Sequence, residues 1–208
     1  MVDAAQLARE LLRIEAVRLR PDAPFTWASG LKSPIYTDNR IALAFPAVRS
    51  SIAEGLTGLA RRAGDFDAVA GVATAGIPHA TLVADRLGLP LAYVRSSAKS
   101  HGRQNRIEGR LSPKQRVVVV EDLISTGGSS LDAVEALRDA GVVVVATLAI
   151  FTYGFAAAER RFAQANCPLH TLTDYPTLIA EAQSAGYVNE DQIAALKDWR
   201  SATSAALA

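Results

Sequence analysis

Val117-Val118-Val119-Val120-Glu121-Asp122-Leu123-Ile124-Ser125-Thr126-Gly127-Gly128-Ser129-Ser130 sets three chemistries end to end with no spacer. Four consecutive valines, β-branched and apolar toward both faces, suit a central strand of a parallel sheet covered by helices on each side. Open sheets of that kind bind ligands beyond the carboxyl ends of their strands. Glu121 and Asp122 then offer two carboxylates, which accept hydrogen bonds and suit a ribose hydroxyl pair or metal-bound water. Ser125, Thr126, Gly127, Gly128 and Ser129 are small enough for a phosphate to approach the main chain, and residues 131–141 continue as an amphipathic helix whose N-terminus lies at that loop. Carboxylates beside a phosphate cradle describe a site for a sugar phosphate. An ordinary strand–turn–helix with solvated acids would explain the glycines but not the acid pair. Asp and Glu are depleted in strands, and two of them beside a phosphate nest repel one another unless hydroxyls, a cation or a cationic lid are bound. No G-x-x-x-x-G-K-[ST] occurs, and no strand leads into G-x-G-x-x-G, which argues against a P-loop nucleotidase and a dinucleotide-binding dehydrogenase.

Around this stretch, hydrophobic periodicity gives strands over 67–72, 90–95, 116–120 and 142–151, and helices over 77–87 and 130–140. Strand alternating with helix implies βαβ units and a parallel sheet. Upstream, a helix over 4–17 carries Leu7, Leu11, Leu12 and Ile14 on one face, the Pro-bounded segment 21–34 is irregular or strand-like, and a helix over 46–62 starts at Pro46. Downstream, residues 155–165 and 174–198 read as helical. The chain has 208 residues, half of them apolar, enough for one sizeable core. Lysine and arginine number 22 against 21 acids, so the total charge gives no nucleic-acid or membrane surface, and phosphate recognition must come from local clusters. Cys167 stands alone, which rules out a disulfide framework or a cysteine metal site and leaves a small buried residue. The N-terminus lacks an apolar signal core and the run 142–151 is too short to span a bilayer, so a cytoplasmic protein is expected.

One gap interrupts the alternation. Ser96 to Arg110, about fifteen residues with Ile107 as the only large apolar side chain, is longer than a compact domain keeps without purpose. It holds Lys99, His101, Arg103, Arg106 and Arg110 against Glu108, with Gly102 and Gly109 as hinges. Alone, this would be a solvated surface loop. In a chain that also carries a phosphate nest, a cationic lid can close over a polyanion and neutralise a leaving group.

The block Glu121 to Ser129 closely resembles the phosphoribosyl pyrophosphate signature of the type I phosphoribosyltransferases, in the form of the orotate branch. Tyr93-Val-Arg95-Ser-Ser-Ala-Lys99-Ser-His101-Gly102 is similar to the family's catalytic loop, with Ser96 where some members carry a further Lys. Gly71-Val-Ala-Thr74-Ala75-Gly76-Ile-Pro78 is similar to its pyrophosphate loop, and Phe25 through Arg40 to the orotate branch's N-terminal block, which helps form a hood over the base. Ala28, Ala75 and Tyr153 stand where one branch of the family has Lys, Lys and an orotate-contacting Arg. Lys32 and Arg40 are then the candidates for the orotate carboxylate.

The resemblance implies the α/β type I phosphoribosyltransferase fold, a central parallel sheet flanked by helices with a small hood subdomain. It would form one domain over 1–208, to whose hood residues up to about 40 contribute. It implies transfer of ribose 5-phosphate from phosphoribosyl pyrophosphate to orotate. Lys99, Arg95, His101 and Asp122 would be catalytic. Phosphoribosyl pyrophosphate would be bound by Arg95, Lys99, His101, Glu121, Asp122, Leu123, Ile124, Ser125, Thr126, Gly127, Gly128 and Ser129, with Thr74 and Ala75 at the pyrophosphate; orotate would meet Ser125, Lys32 and Tyr36. Mg²⁺ would be held by substrate and water rather than by a protein metal site, and a homodimer would share the loop 96–110 between subunits. His79 and His170 read as ordinary packed or surface residues. Two other readings remain open: a transferase for another nucleobase, and a regulator of the same fold that senses phosphoribosyl pyrophosphate and binds nucleic acid or a partner, which would be expected to add a basic face.

Overall fold

The computed structural model describes residues 2–26, 30, 32–96 and 106–207. In chain order the elements are α1 (Ala4–Arg13), β1 (Val17–Leu19), β2 (Phe25–Thr26), β3 (Lys32–Ser33), β4 (Ile35–Thr37), a 3-10 helix (Asn39–Ala44), α2 (Pro46–Arg62), β5 (Ala68–Val72), α3 (Gly76–Leu87), β6 (Leu91–Val94) and β7 (Ile107–Glu108). There follow β8 (Arg116–Ile124), α4 (Gly128–Asp139), β9 (Val143–Thr152), α5 (Ala156–Gln164), β10 (Leu169–Asp174), α6 (Tyr175–Ser184) and α7 (Glu190–Ala206).

The sheet order is β10-β9-β8-β5-β6-β7, parallel throughout except for β7, which runs antiparallel to β6. The valine run occupies the middle, and its residues alternate between two cores. Val118 and Val120 belong to the core that also holds residues of α1, α2, α3, α6 and α7, whereas Val117 and Val119 belong to the core that holds residues of α4 and α5. All four are fully buried, and each contributes about 1.5–3 kcal/mol relative to an exposed valine. The segments β1–β4 stand apart as two small antiparallel pairs, β1 with β4 and β2 with β3.

The strand order fixes where a ligand can sit. From β5 the chain passes through α3 to β6 on one side, while from β8 it passes through α4 to β9 on the other. The order therefore reverses between β5 and β8, and such a switch point opens a crevice at the carboxyl ends of the two strands.

Several elements depart from the sequence expectations. The helix expected over 4–17 ends at Arg13: Glu15 takes a left-handed φ of 57°, and Val17–Leu19 leaves to pair with β4. The strand expected to end at 120 continues to Ile124, because β9 runs on beside it and pairs Glu121 with Ala149, Leu123 with Phe151 and Ile124 with Thr152. That continued backbone ladder outweighs the low strand preference of the acids. The helical stretch 174–198 divides at Gly186, φ 73°, and restarts behind Asn189, whose capping box with Gln192 begins α7. Part of the long loop is itself a strand, since Ile107 and Glu108 pair with Val94 and Tyr93.

Candidate active site

Two loops meet at the switch point, and both lead into helices whose first N–H groups receive no side-chain cap. The α3 helix begins behind Ala75 and α4 behind Gly127, neither of which supplies a capping hydrogen bond. Uncapped N-termini carry unsatisfied donors and a positive dipole end, the elements of an anion site. Gly76 lets the first of these loops lie on β8, for a Cβ there would be 2.5 Å from the Val120 carbonyl oxygen. The peptide between Ala73 and Thr74 is cis. Gly127 has φ +79°, and its missing Cβ leaves room for Phe162, whose Cε2 would be 2.8 Å away. From the same helix as Phe162, Arg161 donates to the Thr126 carbonyl at 3.3 Å and steadies the loop Ser125–Gly127 from behind.

Between these loops lie the acids. Past Val120 the strand β8 has lost β5 as its neighbour and keeps only β9. Glu121, 6% exposed, accepts from the Asp122 N–H at 3.0 Å and from Ser130 Oγ in α4 at 3.2 Å. Burial, and then the charge of Asp122, push the Glu121 carboxyl well above its ordinary range. Burial raises Asp122 too, against the bond from Glu121 and the charge of Arg40. The buried pair therefore retains a proton that either acid would lose in water. The Asp122 carbonyl accepts from Asn39 Nδ2 at 2.8 Å, so the 3-10 helix after β4 is pinned to the acid pair. Asp38, next to it, is paired with Arg40 at 2.7 Å, and the hydrogen bond from Arg40 holds its carboxyl below the usual range.

The other sequence-predicted residues fall in three groups. Arg95 follows β6; its N–H donates to the Arg106 carbonyl at 2.8 Å, Arg106 Nε donates back to the Arg95 carbonyl at 2.9 Å, and its guanidinium lies 3.5 Å from Glu108. The two ends of the long loop are thus held together at its base. Lys99, His101 and Arg103 lie outside the described residues, as does Ala28. Lys32 is exposed and its Nζ donates to Thr26 Oγ1 at 2.7 Å; Tyr36 packs beside Phe25, with the Arg18 guanidinium 5.1 Å from its ring centroid. Tyr153 is buried with its hydroxyl donating to Thr37 Oγ1 at 3.1 Å, and burial pushes that hydroxyl up to about 12. The hydroxyl therefore stays protonated and neutral at physiological pH. His79 is fully buried and burial pushes it down to about 4, so it is neutral at physiological pH, while His170 is exposed. Cys167 is buried, its thiol 3.4 Å from Thr147 Oγ1. Among the described residues no three His, Cys, Asp or Glu converge on a metal position, and no helix is long and apolar enough to cross a membrane.

Sequence reasoning did not single out Ser130, Asn39 or Glu108 for a site role. Ser130 and Asn39 stood inside quoted motifs, but their partners, Glu121 in β8 and the Asp122 carbonyl, become apparent only once the strand is seen to continue past Val120.

The family model of the phosphoribosyl transferase domain matches residues 46–176, which include both loops and the acid pair. The chain belongs to the phosphoribosyltransferase family. It is 55% identical to the orotate phosphoribosyltransferase of Staphylococcus saprophyticus over 198 residues, 95% of this chain and 98% of that one. The crystal structure of orotate phosphoribosyltransferase from Aeropyrum pernix superposes with a TM-score of 0.77 at 34% identity, over 88% of this chain and 99% of the other. The Leishmania donovani UMP synthase structure superposes with a TM-score of 0.82 at 28% identity over 95% of this chain, which spans only 42% of that longer protein. With such relatives, the chain stands in the orotate branch of the family.

Proposed function

We propose that this chain transfers the 5-phosphoribosyl group from phosphoribosyl pyrophosphate to orotate, giving orotidine 5'-phosphate and pyrophosphate, a step of pyrimidine synthesis toward UMP. The observation that carries this reading is the meeting of two uncapped helix N-termini around an acid pair at the sheet's switch point, in a chain 55% identical to an orotate phosphoribosyltransferase along nearly its whole length.

In the reaction the bond from the anomeric carbon to the pyrophosphate oxygen breaks, a bond from that carbon to an orotate ring nitrogen forms, and the proton on that nitrogen is lost to solvent. The transition state has oxocarbenium character, so catalysis needs a held sugar and a stabilised leaving group rather than a covalent nucleophile. Ser125–Ser129 with the α4 N-terminus hold the 5'-phosphate, and Thr74 and Ala75 with the α3 N-terminus hold the pyrophosphate. Glu121 and Asp122 accept from the ribose hydroxyls. Arg95, Lys99 and His101 neutralise the departing pyrophosphate, and Ser125, Lys32 and Tyr36 lie toward the base. A bound Mg²⁺ would add Lewis-acid stabilisation of the developing pyrophosphate charge to what these residues supply. The adjacent carboxylates of Glu121 and Asp122 are the groups of this chain that would face such an ion, through substrate oxygens and water. The hood is formed with residues up to about 40, the active unit is a homodimer whose loop 96–110 serves the neighbouring site, and the enzyme works in the cytoplasm.

The test is to mix the protein with orotate, phosphoribosyl pyrophosphate and Mg²⁺, follow orotate absorbance, and run adenine, guanine and uracil in parallel. Loss of orotate that requires all three components is the expected result. Turnover of another base but not of orotate would overturn the substrate assignment, and inactivity with every base alongside measurable phosphoribosyl pyrophosphate binding would overturn the enzyme.

A further inference from the structure

Helix α7 touches the N-terminal segment and the turn after β9 at several points, none of them part of the phosphate site. Trp199 Nε1 donates to the Lys32 carbonyl in β3 at 3.0 Å, and Gln192 Nε2 donates to Asp22 Oδ2 at 2.6 Å. One residue further on, Arg200 spans two consecutive carbonyls of the β9–α5 turn, donating through Nε to Tyr153 at 2.8 Å and through its terminal nitrogen to Gly154 at 2.6 Å. Gly154 has φ +62°, and a Cβ there would be 2.9 Å from that nitrogen, so the turn is shaped to receive the guanidinium.

Tyr153 closes the circuit. Its hydroxyl donates to Thr37 in β4, its ring stacks on Phe155 with centroids 5.4 Å apart, and Trp199 meets it edge-on at 6.3 Å. Helix α7 thus holds β3 directly, holds the β9–α5 turn directly, and through Tyr153 holds β4 as well. The described residues of this region form two-stranded pairs, which are marginal on their own, and they are anchored besides by Ile35 in the main core and, just after β4, by Asn39 on the Asp122 carbonyl. What fixes such a segment over the sheet must come from outside it.

We propose that α7 is a clasp that sets the base-covering segment 32–40 over the carboxyl end of β8, with Trp199 and Arg200 as positioning residues and Tyr153 as the strut between the sheet and β4. The inference rests on the function proposed above in one respect, that residues 32–40 cover the base. It also gives a role to the departure at position 153. The Tyr153 hydroxyl is buried and already bonded to Thr37, so its part is to hold β4 in place.

A helix that merely packed for stability would affect both substrates alike, and isosteric variants separate the two roles. Trp199→Phe keeps a ring among Tyr153, Phe155 and Tyr175 but removes the indole N–H, and Tyr153→Phe removes only the hydroxyl. In each, KM for orotate rises about fivefold, the change that accompanies one lost neutral hydrogen bond, while KM for phosphoribosyl pyrophosphate stays within about twofold. Amide exchange of the free variants accelerates in residues 32–38 and not in α4. An unchanged KM for orotate, a parallel rise in both KM values, or unaltered exchange in 32–38 each overturns the clasp. If the wild-type protein turns over another base while exchange in 32–38 still accelerates in the variants, the clasp stands and the orotate assignment falls.

Discussion

Glu121 spends both carboxyl oxygens on neighbours, one on the Asp122 N–H and one on Ser130, and is shielded from water that would otherwise stabilise its charge. Both acids bind a proton more tightly folded than unfolded, so above the unfolded carboxylate value of about 4 the folded state keeps protons that the unfolded chain has released. The pair's contribution to stability is therefore fully present below that value and declines as pH rises toward the raised folded values. Glu121→Gln removes this titration and keeps a partner for Ser130. Its melting temperature should gain on the wild type steadily from about pH 5 to about pH 8; a constant difference would mean that Glu121 is ionised throughout. Asp122→Asn removes the charge proposed to accept from the ribose hydroxyls and should lower kcat/KM by about tenfold or more, the loss expected when a hydrogen bond to a charged group is weakened. Unaltered kinetics would take Asp122 out of the site. Lys99→Ala should lower kcat by about a hundredfold or more with little change in phosphoribosyl pyrophosphate affinity, because lid charge acts as the leaving group develops; weakened binding with unchanged kcat would contradict that role. At this scale the acid pair was legible from residue types alone, since adjacent acids at the end of a valine strand need a chemical reason. Its clamps, Asn39 and Ser130, were not, because each is a common polar residue whose meaning lies in what the fold sets against it.

Among the elements, α2 appears where its residues ask for it, with Pro46 at its first turn and Arg61 and Arg62 at its negative end. The α1 helix and β8 misled in opposite directions for the same reason. Tertiary pairing, of β1 with β4 and of residues 121–124 with β9, took residues away from the state their local pattern favoured. The split between α6 and α7 was signalled by Gly186 and Asn189 but obscured by helix formers on both sides. The α4 N-terminus permits a test on an element. Gly127→Ala adds a Cβ at φ +79° within 2.8 Å of the Phe162 ring. It should destabilise the fold by about 1–3 kcal/mol in denaturant titration and raise KM for phosphoribosyl pyrophosphate, since the loop must shift to admit the methyl group. Loss of stability without a change in that KM would show that the loop is not where the phosphate is held.

Across the whole molecule, alternation of strand and helix gave the parallel sheet, but the order of its strands was invisible. Nothing local to 116–124 says that this strand inserts between β5 and β9, and that insertion creates the switch point where two uncapped helix N-termini, an acid pair and the 3-10 helix after β4 meet. The near balance of 22 basic and 21 acidic residues also belongs to this scale. It predicts negligible binding to duplex DNA or RNA at moderate salt; tight binding that weakens steeply as salt rises would favour the regulator reading. The function proposed above requires that the two uncapped helix N-termini hold the two phosphate ends of one substrate. The most direct measurement is a crystal structure of the protein with phosphoribosyl pyrophosphate and Mg²⁺. The account predicts the 5'-phosphate on the backbone N–H groups of Ser125–Ser129, the pyrophosphate at Thr74–Gly76, and the ribose hydroxyls within hydrogen-bond reach of Glu121 and Asp122. A substrate bound away from the junction of β5 and β8, or with the acid pair facing neither hydroxyls nor the ion, would contradict it.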